Sequence, residues 1–574
     1  MLERSSEIIV DATGPAADAI AAHVERLVTE KVASRIAAKD ATVWGEAAHE
    51  EARKRLGWVD MHRTSRSLVG EVETLADRHR GHDRVVLCGM GGSSLAPEVV
   101  TTTAGRELVV CDSSDPQMVR TALGTPEDLA RTVVVVSSKS GSTAETDSQR
   151  RAFVAALEAA GLDPADHVVV VTDPGSPLDE EARAAGWAVV NADPEVGGRY
   201  SALTAFGLVP SGLAGVDVEA LLDEAEAVAD VLAEDEAGNP ALRLGAVLAG
   251  LEGTRRDVLV VSDAGTSIRG LGDWAEQLVA ESTGKQGTGV LPVVDLLSTQ
   301  GGEPLSHRLA DLPDVTVARV IGDEVDERDD WFAGDDLQPV DAENPAAVVN
   351  VGGSLGGQFL LWETATAVAG YLLGINPFDQ PDVESAKKAA RQQMSGGAGG
   401  SSEPALVASE VEVRAEGGFL GDAASVQQAV DALLAQVGPS GYLAVMAYVD
   451  RWQHGDEAAA VQAALTAATG RPVTVGFGPR FLHSTGQFHK GGPADGVYLQ
   501  VTRAVPEGAD LEVPGRDFTF GELIAAQAAG DAQVLAEHGR PVLRLHALSD
   551  AGYTAVLQAL TAGCGQDGRR GNEA

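Results

Sequence analysis

Apolar positions along this chain follow two rhythms. Residues 15 to 80 alternate Ala, Leu and Val with charge at helical spacing, as in AAHVERLVTEKVASRIAAKD, which predicts an amphipathic helical lead-in. The rhythm then changes to short continuous apolar runs. RVVLCGMGGSSLAPEVV (84–100) reads as strand, glycine turn and helix. It is followed by ELVVCDSS (107–114), the run Val133–Val136, HVVVVTDP (167–174) and WAVVNAD (187–193). Runs without polar alternation predict strands buried on both faces, and their alternation with helical stretches predicts a parallel sheet wound with helices.

A second series begins near residue 240. It has a helix at ALRLGAVLAGLEG and strands at DVLVVSDAG (257–265), VTVARVIGD (315–323) and AAVVNVGG (346–353), then a long helix over 355–373. A third carries strands at YLAVMAYVD, PVTVGFG, GVYLQVTR and PVLRLHAL. The expected division is a helical lead-in packed on the first domain (1–80), a first α/β domain (81–215), a second (216–393), a Gly/Ser linker (394–405), a third smaller α/β domain (406–564) and a disordered tail (565–574). The third unit reads as a divergent repeat of the second. GYLAVMAYVD parallels DVLVVSDAG, ALTAATGRPVTV parallels LVAESTGKQGTGV, and PVLRLHALSDAGYTAVLQAL parallels AVVNVGGSLGGQFLLWETAT. In that register Ala467 stands where Glu281 stands, and Arg471 where Lys285 stands.

Composition narrows the function. With 574 residues the chain can bury several cores. A net charge of −42 disfavours sequence-independent binding to nucleic acid or to an anionic membrane, so an anionic substrate would need a locally positive pocket. The same acidity suits a high-salt milieu. Cys88, Cys111 and Cys564 are too scattered for a disulfide framework or a metal cluster, and read as free thiols in a reducing cytoplasm. No stretch approaches 18 uninterrupted apolar residues, and the N-terminus lacks a basic region followed by an apolar core, so neither membrane insertion nor secretion is expected.

Two loops invite an anion. SSKSGSTAET (137–146) follows a buried strand and opens a helix. Ser142 is expected as its N-cap, with Glu145 reaching back in a capping box. The Ser138, Ser140, Ser142 and Thr143 hydroxyls and the positive end of the helix dipole suit a phosphate. GMGGSS (89–94) resembles a dinucleotide fingerprint, and Asp112 lies about where such a site places its ribose acid, but Ser94 occupies the third glycine position. A second hydroxyl-rich loop nearby turns the reading toward a sugar phosphate. In GGRYSALTAFG (197–207) Arg199 could stabilise a developing oxyanion, or hold two loops as an ion pair. In EQLVAESTGKQG (276–287) Glu281 ends an apolar helix, where a carboxylate could shuttle a proton between adjacent carbons.

GMGGSSLAP, SSKSGSTAET, GGRYSALT, EQLVAESTGK and NPFDQPDVESAK together resemble, in type and order, the motifs of phosphoglucose isomerases, which are built from two sugar isomerase (SIS) domains. The resemblance spans about residues 60 to 395 and is strongest to actinobacterial members and to the isomerase part of transaldolase–isomerase fusions. It implies reversible aldose–ketose isomerisation of glucose 6-phosphate and fructose 6-phosphate in the cytoplasm, with no cofactor and no metal. Gly92, Ser93, Ser138, Lys139, Ser140 and Thr143 would surround the phosphate. Arg199 would stabilise the enediolate, Glu281 would move the proton, and Gln277 would stand one helical turn behind it. Gln380 would lie near the phosphate and Lys387 near the sugar ring.

The family also needs a histidine to open the cyclic sugar, and there the chain departs. Between Glu281 and Phe378 it offers only His307, in EPLSHRLAD, which does not resemble the family's histidine loop. FLHSTGQFHKGGP (481–493), in the third unit, does, with His483 the matching residue. In dimeric members the histidine comes from the neighbouring subunit. The expectation is therefore a monomer with an internal pseudo-dimer, or a homodimer exchanging its third unit. A related isomerase also accepting mannose 6-phosphate, or a non-catalytic SIS sensor of sugar phosphates, are the alternatives. A sensor would have no need of Arg199, Glu281 and a histidine together.

Overall fold

The computed structural model describes residues 8–299, 304–322, 346–382, 389, 394 and 403–562. Strand β1 (Ile9–Thr13) opens the chain, and the helices Pro15–Thr29 and Arg66–Arg78 follow. Strands β2 (Arg84–Gly89), β3 (Val109–Cys111), β4 (Thr132–Ser137), β5 (Val168–Thr172) and β6 (Ala188–Asn191) form an all-parallel sheet in the order β3-β2-β4-β5-β6. Every residue of β4 is buried, as its unbroken apolar run requires of a strand covered on both faces. Each of its valines contributes about 1.5–2 kcal/mol by leaving water.

The second sheet joins β7 (Val258–Ala264), β8 (Leu291–Val294), β9 (Val315–Ile321) and β10 (Ala347–Gly352) in the order β1-β10-β9-β7-β8, with β1 antiparallel at the edge. The third joins β11 (Leu406–Ala408), β12 (Val411–Glu416), β13 (Tyr442–Tyr448), β14 (Val473–Phe477), β15 (Gly496–Arg503) and β16 (Val542–Ala547) in the order β11-β12-β16-β15-β13-β14. The strand pairing suggested by the repeated segments is thus present in the topology. β13, β14, β15 and β16 stand to one another as β7, β8, β9 and β10 do, and β12, antiparallel to β16, takes the place of β1.

One part of the lead-in departs from expectation. β1 pairs with β10, and the helix Pro15–Thr29 packs on the helix Pro240–Ala249, so the start of the chain belongs to the second unit rather than the first. The reason lies in the sheet: β10 would otherwise expose an unpaired edge, which a nearby apolar strand covers. The helix Arg66–Arg78 does pack on the first unit, against Ala205–Leu213. The Gly/Ser linker and the tail fall largely outside the described residues, and Cys564 does so entirely. Cys88 and Cys111 are buried free thiols. Among the described residues no helix is long and apolar enough to cross a membrane.

The units are not loosely strung. Leu291, Val293 and Leu305 of the second share an apolar core with Tyr442, Met446, Tyr448, Phe481 and Phe488 of the third. The Gln462 amide donates to the carbonyls of Val294 (2.8 Å) and Val473 (2.9 Å), stitching the edges of β8 and β14. Arg471 forms a buried two-pronged ion pair with Asp314. A second ionic cluster ties the third unit to the first. Arg451 meets Asp112 and Glu98, each at 2.9 Å, and Arg480 meets Glu98 at 2.7 Å and also pairs with Asp112. Burial alone would raise Glu98, but the Arg451 and Arg480 guanidiniums override it and hold the carboxyl at about 2. Asp112, fully buried and spoken for by two arginines, is no ribose ligand, which removes the dinucleotide reading.

Candidate active site

Four short segments converge. The glycine turn Gly91–Ser93 after β2 contacts the turn Gly198–Tyr200, the helix Leu271–Thr283 after β7 and the turn Arg480–His483 after β14. Glycine makes this approach possible. Gly91 has φ +54°, and a Cβ there would lie 2.7 Å from Gln277 Nε2 and 3.0 Å from His483 Cβ. A Cβ on Gly92 would fall 1.9 Å from the Gly198 carbonyl oxygen. Gly92→Ala must therefore push away the turn that carries Arg199. It is expected to cost about 1–3 kcal/mol of stability, read as a lowered denaturant midpoint, together with most of the activity.

Arg199 and Glu281 are both buried. Arg199 donates through Nε to Ser282 Oγ (2.7 Å), through Nη1 to Gln380 Oε1 (2.5 Å), and through Nη2 to the carbonyls of Pro377 (2.6 Å) and Asp379 (3.1 Å). Its Nη1 also lies 3.7 Å from Glu281 Oε2. The arginine is thus held rigidly by the 377–380 loop, with an Nη1 hydrogen left on the carboxylate side. Gln277, one turn before Glu281, donates to Glu281 Oε2 at 3.3 Å and to the His483 carbonyl at 2.7 Å. It therefore links the candidate base to the histidine turn.

The same loop is gripped by Lys285, whose Nζ donates to the carbonyls of Asn376 and Asp379 and to the Asp379 carboxylate, at 2.7, 2.6 and 2.7 Å. Burial, reinforced by the charge of Arg199, pulls Lys285 down to about 8. Its counterpart Arg471 has a different task, clamping Asp314 across the unit boundary. Lys387 lies outside the described residues.

The hydroxyl loop has a different local structure from the one expected. The helix after β4 runs Ala144–Ala159 with Thr143 as its N-cap and without a side-chain cap hydrogen bond. Ser142 is bonded to Ser140 (Oγ to Oγ, 2.9 Å), so the capping box is absent. Glu145, in the first turn, is buried and turned to other partners: its Oε1 lies 3.1 Å from His483 Nε2 and accepts from Gln527 Nε2 at 2.7 Å. A carboxylate offered an imidazole and an amide makes charge-assisted bonds stronger than a return to the backbone N–H of its own turn. Ser138 Oγ lies 3.4 Å from Thr143 Oγ1 at the mouth of the helix, with Gly92 and Ser93 on the neighbouring turn. Lys139 stands at the rim, paired with Asp173 at 2.8 Å, and burial pulls its ammonium below the usual lysine range. Sequence alone gives Glu145, inside the SSKSGSTAET motif, only a capping role, and carries no signal for Ser282 or Gln527.

His307 lies on the short helix Leu305–Leu309 after β8, in the loop topologically matching the one that carries His483 after β14. Its neighbour Ser306 is tied to Asp295 Oδ2 through its backbone N–H at 3.1 Å. Beside His483, the Ser484 hydroxyl donates to Glu276 Oε1 at 3.1 Å. Burial, then the nearby Asp273 carboxylate, raises Glu276 from 4.5 to about 8. The folded chain thus keeps a proton that the unfolded chain releases near 4.5, so this contribution to stability is present below that pH and is lost as pH rises through about 8. Glu276→Gln removes the titration. The melting temperature of the parent is expected to fall relative to the variant between pH 5 and 8, with thermal melts at the two pH values as the check.

Two wound sheets, one presenting a hydroxyl loop and a glycine turn to a buried helix of the other, place the chain among α/β proteins with a site at the junction of two units. The chain belongs to the phosphoglucose isomerase family. The model of that family, described as phosphoglucose isomerase, matches residues 58–286. A relative from Rubrobacter xylanophilus named glucose-6-phosphate isomerase is 31% identical over 388 residues, which cover 59% of this chain and 89% of that protein. Another, from Haloarcula marismortui and named a probable glucose-6-phosphate isomerase, is 32% identical over 343 residues, 55% of this chain and 78% of its own length. The crystal structure of a glucose-6-phosphate isomerase from Chlamydia trachomatis shares the fold, with a TM-score of 0.53 over 69% of this chain and 90% of that one, at 18% identity.

Proposed function

We propose that the chain interconverts glucose 6-phosphate and fructose 6-phosphate by ring opening and a cis-enediolate, at one site assembled within a single chain. The observation that carries this is the convergence of Arg199, Glu281 and His483 from three separate units, with Gln277 bonded to both of the latter two. The loop 138–143 and the turn at Gly92 and Ser93 hold the phosphate by hydroxyls, backbone N–H groups and the helix dipole. Phosphate binding remote from the reacting carbons orients them. His483, backed by Glu145, takes the proton of the anomeric hydroxyl and delivers it to the ring oxygen as the C1–O5 bond breaks, and C1 becomes a free aldehyde. Glu281 takes the C2 proton and returns it to C1, while the O2 hydroxyl proton passes to O1. The enediolate charge between these steps falls on the Nη1 side of Arg199, a guanidinium that keeps its proton. Gln380, already bonded to Arg199, and Lys387 would position the sugar.

In this reading the third unit takes the place of a neighbouring subunit. What supports it is the shared strand order of the second and third sheets, together with their complementary losses: the second keeps Glu281, while the third has Ala467 in the matching position and contributes His483. His483 is favoured over His307 because its turn lies against Gly91 and Gln277. The test is direct. Purified chain mixed with either sugar phosphate alone should produce the other until both stand at the same equilibrium ratio, whichever is supplied. Absence of interconversion would refute the reading.

A further inference from the structure

We propose that Gln527, on the third unit's helix Phe520–Glu537, is a positioning residue for ring opening, its amide locking the Glu145 carboxylate against His483. The inference rests on the assignment of His483 given above. It identifies a polar relay that runs from Ser114 through Gln527 and Glu145 to the histidine.

The geometry is specific. Glu145 Oε1 lies 3.1 Å from His483 Nε2 and accepts from Gln527 Nε2 at 2.7 Å, so one oxygen serves both partners. At the far end the Ser114 hydroxyl donates to Gln527 Oε1 at 2.5 Å. That bond decides which way the amide points. An oxygen held by a hydroxyl donor leaves the NH₂ end no choice but to face the carboxylate. Ser114, Glu145 and Gln527 are 0%, 5% and 6% exposed, so water does not substitute for a missing member.

The relay also crosses the boundary between units three times. Ser114 follows β3 and Glu145 begins the helix after β4, both in the first unit, whereas Gln527 and His483 belong to the third. A carboxylate turns freely about its terminal torsion unless donors fix its oxygens. The Gln527 amide on the same Oε1 holds the carboxylate in the orientation that accepts Nε2–H from His483. The imidazole then holds one tautomer, with Nδ1 left as the nitrogen that exchanges a proton. Partners that orient a functional imidazole in this way are commonly worth an order of magnitude or more in function.

Gln527→Leu keeps the size of the side chain and removes both amide groups, and Gln527→Met is the second variant. Each is expected to lower kcat for glucose 6-phosphate by about tenfold with KM within twofold, because the phosphate loop is untouched. On an acyclic aldose phosphate lacking the C4 and C5 hydroxyls that close the ring, both variants should turn over within about twofold of the parent. Ser114→Ala should show the same pattern more weakly, and the double variant Ser114→Ala/Gln527→Leu should be no worse than Gln527→Leu, because both act through one relay. A purely structural role for Gln527 would slow both substrates equally or neither, and either result overturns the proposal. His483→Ala run alongside separates the two claims. Loss confined to the cyclic substrate in His483→Ala, without loss in the Gln527 variants, defeats the relay alone. No selectivity in His483→Ala defeats the assignment of the histidine.

Discussion

Glu281→Gln is expected to lower kcat for glucose 6-phosphate by about 10²- to 10⁴-fold while KM changes by no more than a few-fold. The substitution is nearly isosteric. The introduced amide oxygen can still accept from Gln277, and the phosphate loop on the first unit is untouched, so ground-state binding persists. What disappears is the only carboxylate that lies within 3.7 Å of Arg199 Nη1 among the described residues, and with it the group able to carry a proton between C2 and C1. Exchange of the C2 hydrogen with solvent deuterium should fall in parallel with turnover. Retention of a tenth or more of the parental kcat would show that another base moves the proton.

His483→Ala should separate substrates by form rather than by affinity. Turnover of cyclic glucose 6-phosphate is expected to drop by about 10²-fold, while an acyclic analogue that needs no ring opening stays within a few-fold of the parent. The imidazole is placed by three independent restraints: the ion pairs of Arg480, three residues earlier, with Glu98 and Asp112; the Gln277 amide on the His483 carbonyl; and the contact of its ring with Glu145. Alanine leaves the first two in place, so the fold around the site should persist. His307→Ala is the internal comparison and should not discriminate between the two substrates. Equal activity of His483→Ala and parent on the cyclic sugar would contradict the role.

Much of this is legible in the sequence because the signals are local. The valine run at 133–136 has one comfortable environment, a strand covered on both faces, and β4 is that strand. Glu281 ends a helix whose apolar face is continuous, and the glycine and hydroxyl turns sit where strand gives way to helix. The resemblance of GYLAVMAYVD to DVLVVSDAG reflects equivalent positions in two sheets of the same order.

What stays hidden depends on partners far along the chain. Nothing near Glu145 announces an imidazole contributed from residue 483, so local capping chemistry is the only role its surroundings suggest. Asp112 fits a ribose acid by spacing alone, and only the folded third unit brings Arg451 and Arg480 onto it. β1 is five residues long and leaves every residue but Val10 half-buried or exposed, a pattern too short to assign to an edge in another unit's sheet.

In the proposed site one chain supplies both the base of its second unit and the histidine of its third. Co-expression of differently tagged Glu281→Gln and His483→Ala chains, purified through both tags and assayed on cyclic glucose 6-phosphate, tests it most directly. No doubly tagged species is expected to carry more activity than the two variants contribute separately. Recovery of a substantial share of the parental activity in a doubly tagged species would mean that Glu281 and His483 meet between chains, and would contradict it.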